Sequence, residues 1–440
     1  MIVVFSGSAP AAWVIACGSS AVEIGRSDAG PGKLDDGRVS RRHARIAFEG
    51  GRCIVTDLSS QNGTFIDGKR AVARVPTPVR RVIRIGDSIL VPTLDVQGFE
   101  RAVVRIIDGF VRGPAMQAVL ADVALAAQSS TTLHVRGETG TGKEGIAQAF
   151  HRLRTGAACP LVAVNCAAIP HAIAERLLFG AKRGAYSGAE SDATGYLLEA
   201  NGGTLFLDEI AELDLQVQAK LLRVLESREL LPLGASKVRR VEFALCSATS
   251  KDLRALVADG SLREDLYFRI GQPAVTLPPL RDRPEEIPAL IVQELGKLSQ
   301  PPAVHTSLIE ECLLRVWPGN VRELLSGIRA AARAAARDGA RVNARHLVST
   351  IGTVFGSASL DARPEPPEPS DEPSPGEPRK RAPRMDPAWH KRIEDALRAS
   401  DGNVTAAARS LGLHRTQLRR LVRRHRIAVE LADIDRDDGT

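Results

Sequence analysis

The segment Gly137-Glu138-Thr139-Gly140-Thr141-Gly142-Lys143-Glu144 decides the reading of the centre of this 440-residue chain. It fits GxxxxGK, with an apolar stretch predicted as a strand before it (Thr132 to Val135) and a helical pattern after it. Glycines in such a turn let backbone N–H groups converge on phosphate oxygens, and Lys143 neutralises their charge. Glu144 stands where these loops usually carry Ser or Thr, so a hydroxyl ligand to Mg²⁺ is missing there. A second motif, Thr204-Leu205-Phe206-Leu207-Asp208-Glu209, reads as a buried strand ending in two carboxylates. Asp208 suits Mg²⁺ held through water, and Glu209 suits polarising an attacking water.

Outward from this core, residues 106–350 alternate apolar strands such as Leu161-Val162-Ala163-Val164 with longer helical patterns, an α/β signature. Residues 1–100 read as short β runs (Cys53-Ile54-Val55, Val82-Ile83-Arg84-Ile85) divided by Gly, Asp and Asn turns. From Arg363 to Pro387 nine of the 26 prolines crowd among Glu, Asp and Ser, which reads as an extended tether. Composition is that of a soluble protein (44% hydrophobic, 25% charged), and no apolar run reaches the length of a membrane span. The six cysteines at 17, 53, 159, 166, 246 and 312 have no metal-ligand spacing and read as buried thiols in a reducing cytoplasm. Val14-Ile15-Ala16-Cys17 mimics a lipoprotein cleavage box, but no Lys or Arg precedes it, so no signal peptide is expected.

The stretch 106–350 resembles the AAA+ domain of bacterial enhancer-binding proteins, the sigma-54-dependent activators. The resemblance is carried by GETGTGKE (137–144), VNCAAI (164–169), LFGAKRGAYSGA (178–189), GGTLFLDEI (202–210), QAKLLRVLE (218–226), LREDLYFRI (262–270), LPPLRDR (277–283) and WPGNVREL (317–324). It implies an α/β ATPase subdomain over 106–280 and a helical lid over 281–352, using ATP and Mg²⁺. It also implies roles: Gly137 to Glu144 with Arg322 as the nucleotide-binding set, Asp208 as the metal ligand and Glu209 as the catalytic carboxylate. Asn165 is implied as the switch that orients Glu209, Thr249 as the sensor threonine, and Arg263 and Arg269 as arginine fingers reaching into a neighbouring subunit. Self-assembly from dimer to hexameric ring follows. Gly184-Ala185-Tyr186-Ser187-Gly188-Ala189 corresponds to the family's GAFTGA loop, which contacts sigma-54 in the RNA polymerase holoenzyme, with Tyr for Phe and Ser for Thr. Leu198 and Pro232 replace a common Glu and Arg, and Ser250 the usual Asn or His.

Gly25-Arg26, Ser40-Arg41-Arg42-His43 and Asn62-Gly63-Thr64 resemble the forkhead-associated (FHA) domain, a β-sandwich that reads phosphothreonine. A phosphate near −2 charge needs a guanidinium (Arg26), a hydroxyl (Ser40) and further donors (Arg41, Asn62), with His43 buttressing the loops. An FHA domain used only for dimerisation is the alternative. With this region ahead of the motor, phosphothreonine on another protein or partner subunit is the expected input.

At the other end, Ile393 to Ala399, Val404 to Leu411 and Arg415 to Arg424 read as three helices, with Gly412 making the last turn. They resemble the Fis-type helix-turn-helix over 388–427, between the 353–387 linker and an acidic tail (428–440). The last helix would enter the major groove, with Arg415, Thr416, Gln417 and Arg420 nearest bases and Arg419, Arg423 and Arg424 nearest phosphates. The expected whole is multidomain: an all-β FHA sandwich, an α/β AAA+ P-loop ATPase with helical lid, and an all-α helix-turn-helix, in a cytoplasmic activator with no membrane partner. The rival is a phosphopeptide-responsive DNA-binding repressor or scaffold whose ATP site controls assembly without remodelling sigma-54.

Charge localises the DNA prediction. Of the net +7, residues 379–426 carry +10 (14 basic, 4 acidic) and residues 427–440 carry −4, leaving +1 for the first 378. DNA binding by the fragment beyond Arg379 should weaken steeply with salt in a gel-shift titration. Equal DNA affinity in a chain ending at Ala362 would refute this partition.

Overall fold

Two strands near the N-terminus set the architecture because both of their faces are apolar. Side chains alternate across a strand, so a strand with one covered face reads as alternation. Met1 to Phe5 and Ile89 to Val91 show no alternation. In the structure, a computed structural model, Met1 and Val3 pack inside a β-sandwich with Ile24, Ile46, Val55, Ile83, Ile85 and Leu90. Ile2, Val4, Phe5, Val82, Ile89 and Val91 pack instead into a second core with helices of the 281–352 region. The structure describes residues 1–17, 20–27, 32–96, 98–99, 104–185, 191–354, 387–400, 407–408 and 410–411.

The chain divides into two units, Met1–Ala362 and Arg363–Thr440. In the first, a six-stranded sheet runs in the order Ala9–Val14, Ile2–Ser6, Ser88–Val91, Ile83–Ile85, Thr64–Ile66, Lys69–Arg70. It faces a four-stranded sheet ordered Val22–Ile24, Ala44–Glu49, Arg52–Asp57, Thr77–Val79. Every strand pair in the two sheets is antiparallel, as in a sandwich. This is the all-β domain expected from the short β runs.

The centre is a five-stranded parallel sheet in the order Leu161–Asn165, Thr204–Asp208, Ala244–Thr249, Thr132–Arg136, Ala274–Thr276. Strand Thr204–Asp208 shows how both faces are covered. Leu205 and Leu207 pack against helix Leu215–Ser227 and its neighbours, while Phe206 packs against helices Pro114–Ser129 and Lys143–Arg154. Three helices, Glu286–Gly296, Thr306–Leu314 and Asn320–Arg337, form the lid around the fully buried Trp317, whose indole N–H donates to the Cys312 carbonyl. The lid core is the one that the sandwich strands share.

In the second unit, helix Pro387–Ala399 starts six residues before the expected Ile393. Proline is tolerated at the first helical position, so the end of the proline-rich run can open the helix. Ile393, Leu397, Ala407 and Ala408 are each buried. The expected third helix, with Arg415, Thr416, Gln417, Arg419, Arg420, Arg423 and Arg424, lies outside the described residues.

Ile89→Ala should cost about 2–5 kcal/mol and reduce hydrogen-exchange protection in lid helix Thr306–Leu314 as well as in the sandwich. Unchanged lid protection would refute a shared core.

Candidate functional site

The phosphate-binding turn is held from two sides. Gly142 takes φ +108 and opens helix Lys143–Arg154, so the loop runs straight into a helix N-terminus. Gly140 takes φ +79, and a Cβ there would lie 2.2 Å from the Gly319 carbonyl oxygen. Only glycine lets the turn approach the lid this closely. Across that contact the Val321 amide donates to the Gly140 carbonyl at 3.0 Å. Asn320, at φ +51, sends its amide to the Thr139 carbonyl and the Glu138 carboxylate, both at 3.1 Å. Glu138 also accepts two bonds from Arg281, at 2.7 and 2.9 Å.

Lys143 is buried, with its ammonium 2.8 Å from Glu209 Oε1, 3.1 Å from the Gly137 carbonyl and 4.0 Å from Asp208. Glu209 has a left-handed backbone (φ +50), which turns its carboxylate towards the lysine. Its other oxygen accepts from Thr249 Oγ1 (3.3 Å), the Ser250 amide (3.1 Å) and Ser250 Oγ (3.2 Å). Burial alone would push the Glu209 carboxyl up, but the bonds from Lys143 and Ser250 outweigh it and hold it below its usual range. Asp208 is raised: burial dominates, and Lys143 offsets only part of it. Asn165 Oδ1 accepts from the Ala167 amide, capping the turn after its strand rather than holding Glu209.

Lys143, Asp208, Asn165 and Arg322 line one cleft of about 500 Å³, together with the apolar Phe110, Val111, Leu290, Val321 and Leu325 and the polar Gln293 and Lys297. A Cβ at residue 145 would sit 2.7 Å from the Phe110 ring, so Gly145 lets that ring lie against the helix. A phosphate-binding turn beside a lining rich in apolar side chains suits a nucleotide. Among the described residues no cluster of three or more His, Cys, Asp or Glu would hold a metal by itself. The Asp208 carboxylate beside the phosphate-binding turn is the kind of donor that suits Mg²⁺, which binds through one or two carboxylates plus substrate phosphates.

Arg263 and Arg269 lie away from this cleft, at the two ends of helix Glu264–Ile270. Arg263 is exposed and pairs with Asp265 at 2.7 Å, and Arg269 donates to the Leu225 carbonyl at 3.0 Å. The 178–189 motif leaves a closed base: Ala181 bridges Ala193, and Lys182 and the Arg183 amide both bond Asp192. Gly184 and Ala185 extend from this base, whereas Tyr186, Ser187, Gly188 and Ala189 lie outside the described residues. Leu198 packs half-buried against the core of the central sheet.

On the sandwich, Gly25 is required by crowding, since a Cβ would meet the Arg41 carbonyl oxygen at 2.1 Å. Next to it the exposed Arg26 bonds through its amide to the Ser40 carbonyl, which brings the two loops together. The buried His43 ties three segments: Nδ1 accepts from the Ser40 amide and Nε2 donates to the Gly63 carbonyl. Ser40 Oγ accepts from the Gln61 amide, and the Asn62 side-chain amide donates to the Arg38 carbonyl at 2.7 Å. Arg42 is committed to Glu23 by two bonds of 2.7 and 2.8 Å, whereas Arg41 is exposed on the same rim. Arg26, Ser40, Arg41 and Asn62 thus share one end of the sandwich.

Sequence reasoning passed over Asn320, Arg281, Arg283 and Phe110. Arg283 is fully buried, bonding the Thr141 carbonyl (2.8 Å) and Glu286 (2.7 Å), while Glu286 accepts from the Gly113 amide (2.6 Å). The signal available was the pair Arg281 and Arg283 within the LPPLRDR motif.

A parallel sheet with a phosphate-binding turn, two strand-end acids and a helical lid that contributes an arginine to the cleft defines a P-loop ATPase of the AAA+ class. Comparison makes this particular: the central region matches the sigma-54 interaction domain over residues 110–276, residues 22–89 match the FHA domain, and residues 390–424 match the Fis family of bacterial regulatory proteins. The chain is 37% identical over 339 residues to the DNA-binding transcriptional activator HyfR of Escherichia coli, covering 74% of this chain and 48% of HyfR. It is 37% identical over 292 residues to the Nif-specific regulatory protein of Herbaspirillum seropedicae, covering 64% of this chain and 54% of that one. The chain therefore spans about half the length of these curated relatives. The crystal structure of NtrX from Brucella abortus in complex with ATP superposes with a TM-score of 0.50 at 25% identity, covering 71% of this chain and 67% of NtrX.

Beside the cleft, burial pushes the Glu285 carboxyl from 4.5 up to about 7, with Glu286 adding to the rise and Arg283 opposing it. The folded state therefore holds this proton more tightly than the unfolded chain does. Its contribution is complete below pH 4.5 and is lost as pH rises through 7. Glu285→Gln should match wild type near pH 4 and exceed it at pH 8, by at most roughly 3 kcal/mol, in urea denaturation at the two pH values. An equal difference at both would refute the assignment.

Proposed function

We propose that the chain is a sigma-54-directed transcription activator driven by ATP hydrolysis and governed by phosphothreonine recognition. The observation that carries this reading is the division of parts. Lys143, Asp208 and Arg322 line one cleft, with Glu209 bonded to Lys143 and Thr249 to Glu209 behind it, while Arg263 and Arg269 stand on another part of the same subunit. A site completed by arginines from a neighbouring copy accounts for that separation, and closing the head-to-tail contact gives a ring, a hexamer by family resemblance.

In this scheme Gly137 to Glu144 wrap the phosphates of ATP, and Lys143 exchanges its bond to Glu209 for one to the β/γ-phosphates. Glu209, still held by Thr249 and Ser250, is then free to polarise the attacking water. Asn165, which lines the same cleft, acts as the switch that orients Glu209 according to nucleotide state. Asp208 would hold Mg²⁺, which when bound would neutralise charge on the transferring phosphoryl group. Arg322 from the lid, and Arg263 and Arg269 of the neighbouring copy, stabilise the charge that builds there. The loop Gly184 to Ala189, with Tyr186 at its tip, carries the result to the sigma-54 holoenzyme. Arg26, Ser40, Arg41 and Asn62 bind a phosphothreonine protein. The 388–427 segment holds upstream DNA through Arg415, Thr416, Gln417 and Arg420 at bases and Arg419, Arg423 and Arg424 at phosphates.

One observation favours the rival reading as a repressor or scaffold: Leu198 packs into the core where a charged relay residue is common. Open-complex formation on a supercoiled sigma-54 promoter separates the two. Wild type with ATP should open the promoter, and Tyr186→Ala should hydrolyse ATP at a similar rate yet lose opening at least tenfold. ATPase activity without opening in the wild type favours the rival.

A further inference from the structure

The lid connects the two ligand sites. Lid helix Glu286–Gly296 places Ile287, Ile291 and Leu295 in the core shared with Ile2, Val4, Ile89 and Val91 of the sandwich. The same helix presents Leu290 and Gln293, with Lys297 just beyond it, to the nucleotide cleft. The sandwich and the nucleotide wall are therefore one helix apart.

Polar contacts cross the same seam. Arg84 lies 3.7 Å over the Phe65 ring and donates to Glu310 of the second lid helix at 2.6 Å, and Arg81 donates to the Leu314 carbonyl at 2.7 Å. Both members of the Arg84–Glu310 pair are largely buried, and Glu310 Oε1 is buried with no hydrogen-bond partner among the described residues. Such an incompletely satisfied buried charge makes a docked contact costly to keep and therefore open to release.

A third contact leads to the phosphate-reading loops. Asp87 Oδ1 accepts from Thr306, the first residue of the second lid helix, at 3.2 Å, and from Arg38 at 3.3 Å. Arg38 in turn receives the Asn62 side-chain amide on its carbonyl, and its own amide donates to Asp36, which also anchors the Asp87 amide. Arg38 is an exposed guanidinium two residues from Ser40.

We propose, resting on the phosphothreonine reading above, that phosphopeptide binding at the sandwich and nucleotide binding at the cleft are negatively linked through the lid. A phosphate near −2 charge at Ser40 draws Arg38 from Asp87 and Asn62 from the Arg38 carbonyl. The Asp87–Thr306 contact loses its support, the sandwich loosens from the lid, and the lid wall formed by Leu290 and Arg322 holds nucleotide less firmly. Linkage is reciprocal, so nucleotide weakens the phosphopeptide by the same factor.

The test uses the full chain and a phosphothreonine peptide selected on it from a degenerate library. Calorimetric titration of ADP, with and without saturating peptide, should show affinity about fivefold or more weaker with peptide, and peptide affinity should fall by the same factor with ADP saturating. The unphosphorylated peptide should have no effect. Asp87→Asn and Thr306→Val should each bind both ligands but reduce the mutual effect below twofold. Unchanged or tighter ADP binding in the presence of bound peptide overturns the linkage, as does full linkage in both variants. If ADP binds but no phosphothreonine peptide does, the phosphothreonine reading itself fails and takes the linkage with it.

Discussion

The constraint on which the arrangement depends is the two-sided burial of strands Ile2–Ser6 and Ser88–Val91. Neither strand can leave a face in water, so the sandwich is stable only with a second apolar surface against its outer sheet. The lid helices supply it, and each fully buried Ile or Val is worth on the order of 1.5–3 kcal/mol relative to exposure. Sandwich, lid and central sheet are consequently one packed unit up to Ala362.

The lid is where the constraints converge. Its third helix begins at the phosphate-binding turn, with Gly319 touching Gly140 and Asn320 holding Glu138 and Thr139. Its first helix is wall to the cleft and floor to the sandwich. A rotation of this three-helix body would alter phosphate contacts, base contacts and the sandwich seam together, because cores at native density move as discrete bodies. Its polar fastenings reinforce that: Arg283 and Glu286 link the turn, the lid and the Gly113 backbone without reaching solvent.

Much of the site was legible because its groups are contiguous in sequence or lie at strand ends. Lys143 follows the glycines directly, and Asp208 and Glu209 end an apolar strand, so a parallel sheet carries them to one edge. The sandwich loops were legible for a similar reason, as Gly25, His43 and Gly63 are packing requirements with narrow residue choices. Asn320 and Arg281 were not, although both lie in recognisable motifs. Each acts on Glu138 from more than 140 residues away, and a bond of that kind has no local periodicity. Ser250 shows the converse: it stands where the family usually has Asn or His, yet its amide and hydroxyl supply two of the Glu209 bonds, while the Asn165 side-chain oxygen accepts from the Ala167 amide.

By itself the sequence determined the three kinds of domain, the order in which they occur, and the chemical identity of the phosphate-binding and acidic groups. Those depend on local rules: turn chemistry, strand and helix periodicity, and charge along the chain. Only the tertiary structure decided that the sandwich rests on the lid, that Arg84 meets Glu310 across 226 residues, and that one helix packs against the sandwich on one side and lines the nucleotide cleft on the other. The apolar runs at Ile2 and Ile89 announced that something must cover them. Which surface does so depends on shape and packing across the whole fold, and no local pattern encodes that.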